Sequence, residues 1–245
     1  MTLFLPKKHL ARQSSPFAYP GDQASYNQKH PVGGGARFSA VAFNGANFVN
    51  LLNAKPGSGV GSISGVTRSD IGPAVNFTSG ATDKVQFSGQ STTTDADCTI
   101  GVICKFTTIG SFQYLFSAGS GGSGTAFAGN NFIPQLVQFG GSTIGTAQDH
   151  IVAGVPMFLA VSKTGTSVAN FISVNLLTGK TLFEVVATPG ASTGVNGTYN
   201  VGSAPNGGSP AIGDIAALMF SSRYHPLGVL QRWAADPWSF WYPSK

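Results

Sequence analysis

The carboxylates are the first residues to ask about chemistry, because this chain has so few. It holds 9 Asp and Glu in 245 residues. Its single glutamate, Glu184, has no Asp or Glu within eight residues on either side. A glycanase needs two carboxyl groups flanking a sugar bond, one to protonate the leaving oxygen and one to attack or activate water. No such spacing is present, and an enzyme is not expected. Gly190-Ala-Ser-Thr-Gly194 matches G-x-S-x-G by letter, but Pro189 precedes it and Gly197 follows closely. A nucleophile elbow needs a strand before and a helix directly after, so a loop is expected here. Gly57, Gly59 and Gly61 lack the spacing and following helix of a nucleotide loop, and Ala118–Asn131 lacks a phosphate loop's Gly-Lys-Ser/Thr ending. Both are expected to be turns or surface loops.

Asp95 and Asp97 could share a calcium ion through hard oxygen donors, with Asp70 and Asp83 joining only if the fold brings them close. Two carboxylates are short of a calcium shell, so Ca²⁺ is possible but not favoured, and no cofactor is expected. His9, His30, His150 and His225 have no mutual spacing for zinc. Cys98 and Cys104 lie six residues apart; on one strand that is about 20 Å, beyond disulfide reach. They read as free, buried, small apolar residues.

Sugar recognition would use Asn, Asp, Gln and His on loops, and Asn130, Asn131, Gln148, Asp149 and His150 are the candidate set. Trp233, Trp238 and Trp241 cluster near the C-terminus, where packing is the expected role. Net charge is +5, and Lys7, Lys8, Arg12, Lys29 and Arg37 against Asp22 place +4 of it in residues 1–37. A basic arm on a near-neutral body suits an acidic protein surface better than nucleic acid, because its cations are sparse and not interleaved with aromatics. Phe4, Leu5, Lys7, Lys8 and Arg12 are the candidate partner-binding residues of that arm.

The elements that must position these groups read as strands. Gly is abundant at 33, Phe numbers 18, and charged residues make up only 9%, a composition suited to turns and strand faces. Cys98, Ile100, Val102, Cys104 and Phe106 alternate with Thr99, Gly101, Ile103 and Lys105, the period-two pattern of a strand with one buried face. Thr107–Ser111 predicts a turn, and Phe112–Ser117 a returning strand, giving a central hairpin. Further strands are predicted at Phe38–Phe43, Asn47–Leu52, Ala74–Phe77, Asp83–Ser88, Phe132–Phe139, Thr146–Val152, Pro156–Lys163, Ser167–Asn175, Lys180–Ala187, Thr198–Gly202 and Ile212–Ser221. Lys55–Gly65 is expected to be a turn region. One helix is predicted at Pro226–Ala235, with Pro226 at its first position and Leu227, Leu230 and Ala234 on one face. Residues 1–35 have four prolines and a Gly33-Gly34-Gly35 hinge but no periodicity, and form an expected extended arm. Residues 36–245 form the expected sandwich domain, with turns every 8–12 residues.

The order of these pieces resembles a family. Gly72-Pro73-Ala74-Val75-Asn76-Phe77 with Asp83-Lys84-Val85-Gln86-Phe87, then the Cys98–Phe106 strand with Gln113-Tyr114-Leu115-Phe116-Ser117, then Phe158–Val168, then Gly213–Arg223, is similar to concanavalin A-like, laminin-G-like jelly-roll domains. The closing Leu230–Phe240 and opening Phe4–His9 resemble versions from phages and prophages. The resemblance implies an all-β, antiparallel jelly-roll β-sandwich. It implies a virion protein, either a capsid decoration or a fibre or tail component. Its partners would be other virion proteins, such as the capsid or a fibre or tail protein, and it would form a homo-oligomer. Since the fold also hosts lectins, carbohydrate binding to cell-surface glycans is the alternative. Pro6-Lys7-Lys8 interrupts the apolar Met1–Leu5, and no run of 18 apolar residues occurs. Synthesis in the host cytoplasm without a secretory signal or membrane span is therefore expected.

Overall fold

The computed structural model describes residues 36–42, 48–50, 55–78, 80–89, 97–109, 111–120, 123–130, 136–139, 142–145, 151–165, 168–187, 197–204 and 207–240. The strands in chain order are β1 (Ala36–Ala42), β2 (Phe48–Asn50), β3 (Lys55–Pro56), β4 (Ser58–Val60), β5 (Ser64–Arg68), β6 (Gly72–Thr78) and β7 (Lys84–Ser88). The series continues with β8 (Asp97–Phe106), β9 (Gln113–Ser120), β10 (Ser123–Asn130), β11 (Leu136–Phe139) and β12 (Ser142–Gly145). Last come β13 (Met157–Thr164), β14 (Val168–Asn175), β15 (Thr181–Ala187), β16 (Thr198–Val201) and β17 (Ile212–Ser221). Among the described residues one helix, α1 (Leu227–Ala235), and a 3₁₀ turn at Pro237–Phe240 follow them. No described helix is long and apolar enough to cross a membrane.

Two antiparallel sheets face each other. Sheet A runs β15-β14-β13-β8-β17-β1-β2-β3, with β6 on β17 and β5 on β6; sheet B runs β12-β11-β10-β9-β16-β7-β4. The all-β antiparallel sandwich with one C-terminal helix is thus as the alternation of apolar residues predicts. Between the sheets, Cys98, Ile100, Val102, Cys104 and Phe106 of β8 meet Val85, Phe87, Phe116 and Tyr199. Phe116, Tyr199 and Phe220 form a ring triad across the gap, with centroids 5.5–5.7 Å apart. Two of the three contacts are edge-to-face, which adds quadrupole attraction to the buried area. Both cysteines are buried in this core, and neither is in a disulfide.

The central hairpin does not form. β8 pairs with β13 and β17 in sheet A, whereas β9 pairs with β10 and β16 in sheet B. The turn after Phe106 is real, but it carries the chain from one sheet to the other. β8 has a partner on each side, so no edge is left for β9. Nor is only one face of β8 buried. Its outward Thr99 and Ile103 are as inaccessible as its inward residues.

A second apolar layer explains that burial. Ile103, Phe158, Ala160, Ile172, Val174, Ala217 and Met219 on the outward face of sheet A pack under Leu230, Trp233, Ala234 and Trp238. α1 begins after Pro226, which is the N-cap with extended backbone rather than the first helical residue. Its buried set is Leu230, Trp233 and Ala234; Leu227, expected on that face, is half-buried.

Other differences follow from small residues. Ala118–Asn131 is not a surface loop: β9 extends to Ser120, and Ser120 pairs with Ser123 at the start of β10. The intervening Gly121-Gly122 is a two-residue hairpin signature. Lys55–Gly65 holds three short strand segments, with Gly57 buried against Val85 and Phe87. β5 and β12 are not anticipated by the sequence pattern. In the predicted strand Thr146–Val152, Ile151 and Val152 are not in a strand and the rest lies outside the described residues.

Candidate functional site

The outward face of sheet A gathers most of the polar chemistry among the described residues. One antiparallel row crosses it: Ala36 pairs with Ser221, Ser221 with Thr99, Thr99 with Ser162, Ser162 with Asn170, and Asn170 with Val185. The segment between β17 and α1 lies over the middle of this row. Thr99 Oγ1 is 2.6 Å from Arg223 O, 2.8 Å from Ser162 Oγ and 3.0 Å from His225 Nδ1. The His225 amide donates to Ser162 Oγ at 2.6 Å, and Asn170 Nδ2 donates to Tyr224 Oη at 2.8 Å.

A hydroxyl against an imidazole invites a comparison with a nucleophile and its base. The proton count argues against that role. Thr99 has one proton, and the Arg223 carbonyl can only accept it. Ser162 then donates to Thr99, and His225 Nδ1 must carry the hydrogen that points at Thr99. An imidazole nitrogen that already holds a proton cannot accept one from that hydroxyl. Thr99 and Ser162 are also fully buried. His225 is held below its ordinary value of 6.5, chiefly by burial, and its ring sits 4.9 Å from that of Trp233. The cluster is a polar clamp fastening the C-terminal segment to the sheet.

The carboxylates are engaged elsewhere. Asp83 is completely buried and accepts from the amides of Ser62, Thr78 and Gly80 at 2.7–3.1 Å and from the Thr78 hydroxyl at 3.1 Å. Gly61 and Gly80 leave no room for a Cβ beside it, and Gly61 has φ +82°, so only glycine closes this cradle. Its oxygens face hydrogen donors, the opposite of what a cation needs. Asp214 accepts from Arg68 Nε at 2.7 Å, Arg68 Nη2 at 3.1 Å and Asn76 Nδ2 at 2.8 Å. The hydrogen bond to Asp214, then its charge, holds the Arg68 guanidinium above its usual value. Asp70 pairs with Lys105 Nζ at 2.6 Å. Asp97 is exposed at the start of β8, and Asp95 lies outside the described residues. Among the described residues no three His, Cys, Asp or Glu groups come together to hold a metal ion.

Ionisable groups also lie inside the sandwich. Burial pushes the Cys104 thiol far up, which suppresses the reactive thiolate. Lys163 is fully buried. Burial pulls its amine down, partly offset by Cys98. On the outward face of sheet B, Gln86 Nε2 donates to Asn200 Oδ1 at 3.1 Å, Asn200 Nδ2 lies 3.4 Å from Ser117 Oγ, and Ser117 Oγ donates to Ser203 O at 2.7 Å. This amide ladder is formed by residues that sequence spacing did not single out.

At the free end of the sheet A order, the outward face is bare. Phe183 and Val185 of β15 are 54% and 57% exposed, and Leu177 in the preceding turn is 62% exposed. Phe183 and Val185 are two apart, so they project to the same side, next to Ile172 and Asn170 of β14. Strand alternation could have flagged this, since Phe183 and Val185 stand out at equal parity on a predicted strand.

Of the sequence candidates, Asn130 ends β10. Asn131, Gln148, Asp149 and His150 lie outside the described residues, as do Phe4, Leu5, Lys7, Lys8 and Arg12 with the rest of 1–35.

No protein-family model matches the chain, and no curated protein does. Solved structures do match in fold. Trypanosoma rangeli sialidase in complex with sialic acid aligns with TM-score 0.55 and 10% identity, over 83% of this chain and 33% of that one. The botulinum neurotoxin serotype D binding domain aligns with TM-score 0.56 and 8% identity, over 84% of this chain and 52% of that one. The enzymatically active domain of bacteriophage CBA120 tailspike protein 2 gives TM-score 0.51 and 15% identity, over 81% of this chain and 30% of that one. The chain therefore spans from under a third to about half of those proteins. At such identities the likeness defines a class, the β-sandwich domain of jelly-roll-like architecture.

Proposed function

We propose that this chain is a non-enzymatic structural protein of a phage particle, a capsid decoration or a fibre or tail component, anchored to a neighbouring subunit through its N-terminal arm. The observation that carries this reading is the bare apolar strip of Leu177, Phe183 and Val185, which suits a contact surface better than a solvated one. The resemblance of the chain's ends to phage sequences supports it, as does the fold shared with a phage tailspike domain. In this reading Lys7, Lys8 and Arg12 steer the arm, while Phe4 and Leu5 supply affinity. Localisation is then the virion. The test compares the full chain with a variant lacking residues 1–35, scoring the amount of each in purified particles. Anchoring predicts loss of the shortened form from particles while it remains folded by circular dichroism. Normal incorporation of the shortened form rules anchoring out.

A second reading is a carbohydrate-binding module for cell-surface glycans. The fold shared with a sialidase solved in complex with sialic acid favours it, whereas Asn200 and Ser117 of the amide ladder are fully buried and closed to a sugar. Asn130, Asn131, Gln148, Asp149 and His150 would supply the sugar contacts. A glycan array distinguishes the two: reproducible binding that Asn130→Ala and His150→Ala together abolish supports the lectin reading, and an empty array removes it.

A further inference from the structure

We propose that the outward face of β15, made by Phe183, Val185 and Leu177, is the receptor for the apolar start of this chain, residues 2–6, Thr-Leu-Phe-Leu-Pro. This rests on the arm-anchoring reading above and names the surface that the arm occupies.

Three observations meet here. First, the strip needs a cover. Two large apolar side chains on one side of a terminal strand, with a third in its turn, form an adhesive edge. The neighbouring strands of the same face already have their cover, since α1 and the 3₁₀ turn bury Phe158, Ile172 and Val174. Secondly, the occupant fits in kind. Leu3, Phe4 and Leu5 are a compact apolar group, and Lys7 and Lys8 follow at once. An apolar segment on an apolar strip is thus matched in hydrophobicity, and the lysines that follow the segment stay in water.

Thirdly, the chain can reach. The row that ends at Val185 begins at Ala36, where the arm joins sheet A. Five strand spacings separate them, about 24 Å. Residues 6–35 can extend over roughly 100 Å. The clamp at Arg223–His225 covers the middle of the direct path. The arm must pass around it on its own subunit or cross to the next one, and the length allows either.

The experiment uses the full chain, with the photo-crosslinker p-benzoylphenylalanine replacing Phe183. It is mixed with an equal amount of isotopically heavy protein, irradiated over a concentration series, and read by mass spectrometry. The expected result is crosslinks to residues 1–12, reduced at least tenfold when the protein also carries Phe4→Ser and Leu5→Ser. Crosslinks confined to other segments, or none at all, overturn the proposal. So does a signal that persists with both serines in place. The isotope pattern separates this inference from the reading it rests on. Crosslinks from light to heavy chains support both. Crosslinks within one chain only keep β15 as receptor but remove anchoring to a neighbour.

Discussion

Two parts of one sheet face differ in how they meet water. Over β8, β13, β14 and β17, the outward side of sheet A is sealed by α1 and the 3₁₀ turn, and its apolar residues are as inaccessible as those between the sheets. One strand further out, Phe183 and Val185 stand in solvent. Apolarity alone does not separate the regions, since Phe183 and Phe158 are the same residue type. The sealed region also has anchors: Thr99, Ser162 and Asn170 hold the backbone of Arg223 and His225 and the side chain of Tyr224. Burial supplies the driving force, and the clamp fixes where the covering segment lies. The bare strip keeps the first ingredient, and no such clamp lies over it among the described residues.

Each variant below breaks or sharpens that contrast. Trp233→Ala should have the largest effect. The ring is 5% exposed between sheet and helix, and its loss should cost about 3–5 kcal/mol in urea unfolding. A cost near zero would mean that α1 is not a stable part of the fold. Thr99→Val keeps the shape but strands the Arg223 carbonyl and the hydroxyl and imidazole facing it. It should cost about 1–3 kcal/mol, and hydrogen exchange should show faster exchange in α1.

Acid should act on the same clamp. His225 is held below 6.5 by burial, so the unfolded chain takes up a proton more readily than the folded one. Stability is therefore full above pH 6.5 and declines as pH falls below it. His225→Gln should flatten this decline in a pH series of thermal melts; an unchanged slope would assign it to other groups. The smallest effect belongs to the bare region. Phe183→Ser should change stability by no more than about 0.5 kcal/mol. A larger loss in the isolated protein would show that β15 is already covered.

How much of this was legible in the sequence depended on range. Alternation located β13, β14, β15 and β17 nearly to the residue, because their apolar periodicity is local and uninterrupted. It missed β10 because glycine, serine and alanine can fill a strand between neighbours without showing a face. It could not distinguish a hairpin from a chain that changes sheet at Thr107, since both need the same turn. The second layer was half visible: the aromatic cluster at Trp233 and Trp238 promised packing, but on which surface is decided by contacts with β13 and β14, far away in the chain. The clamp was not legible, since Thr99, Ser162 and His225 become neighbours only through sheet order. Nor was the cradle, which joins Asp83 to the amide of Ser62.

The change of sheet at Thr107 has a consequence for synthesis. β8 is buried along most of its length, yet its partners lie at Met157–Thr164 and Ile212–Ser221. When it leaves the ribosome, neither exists. Its apolar residues must wait for about fifty further residues before one side is satisfied and for more than a hundred before the other is. Such non-local pairing is slow to form and exposed while it waits. Translation pauses or chaperone contact between those two points would therefore govern yield more than any surface residue does.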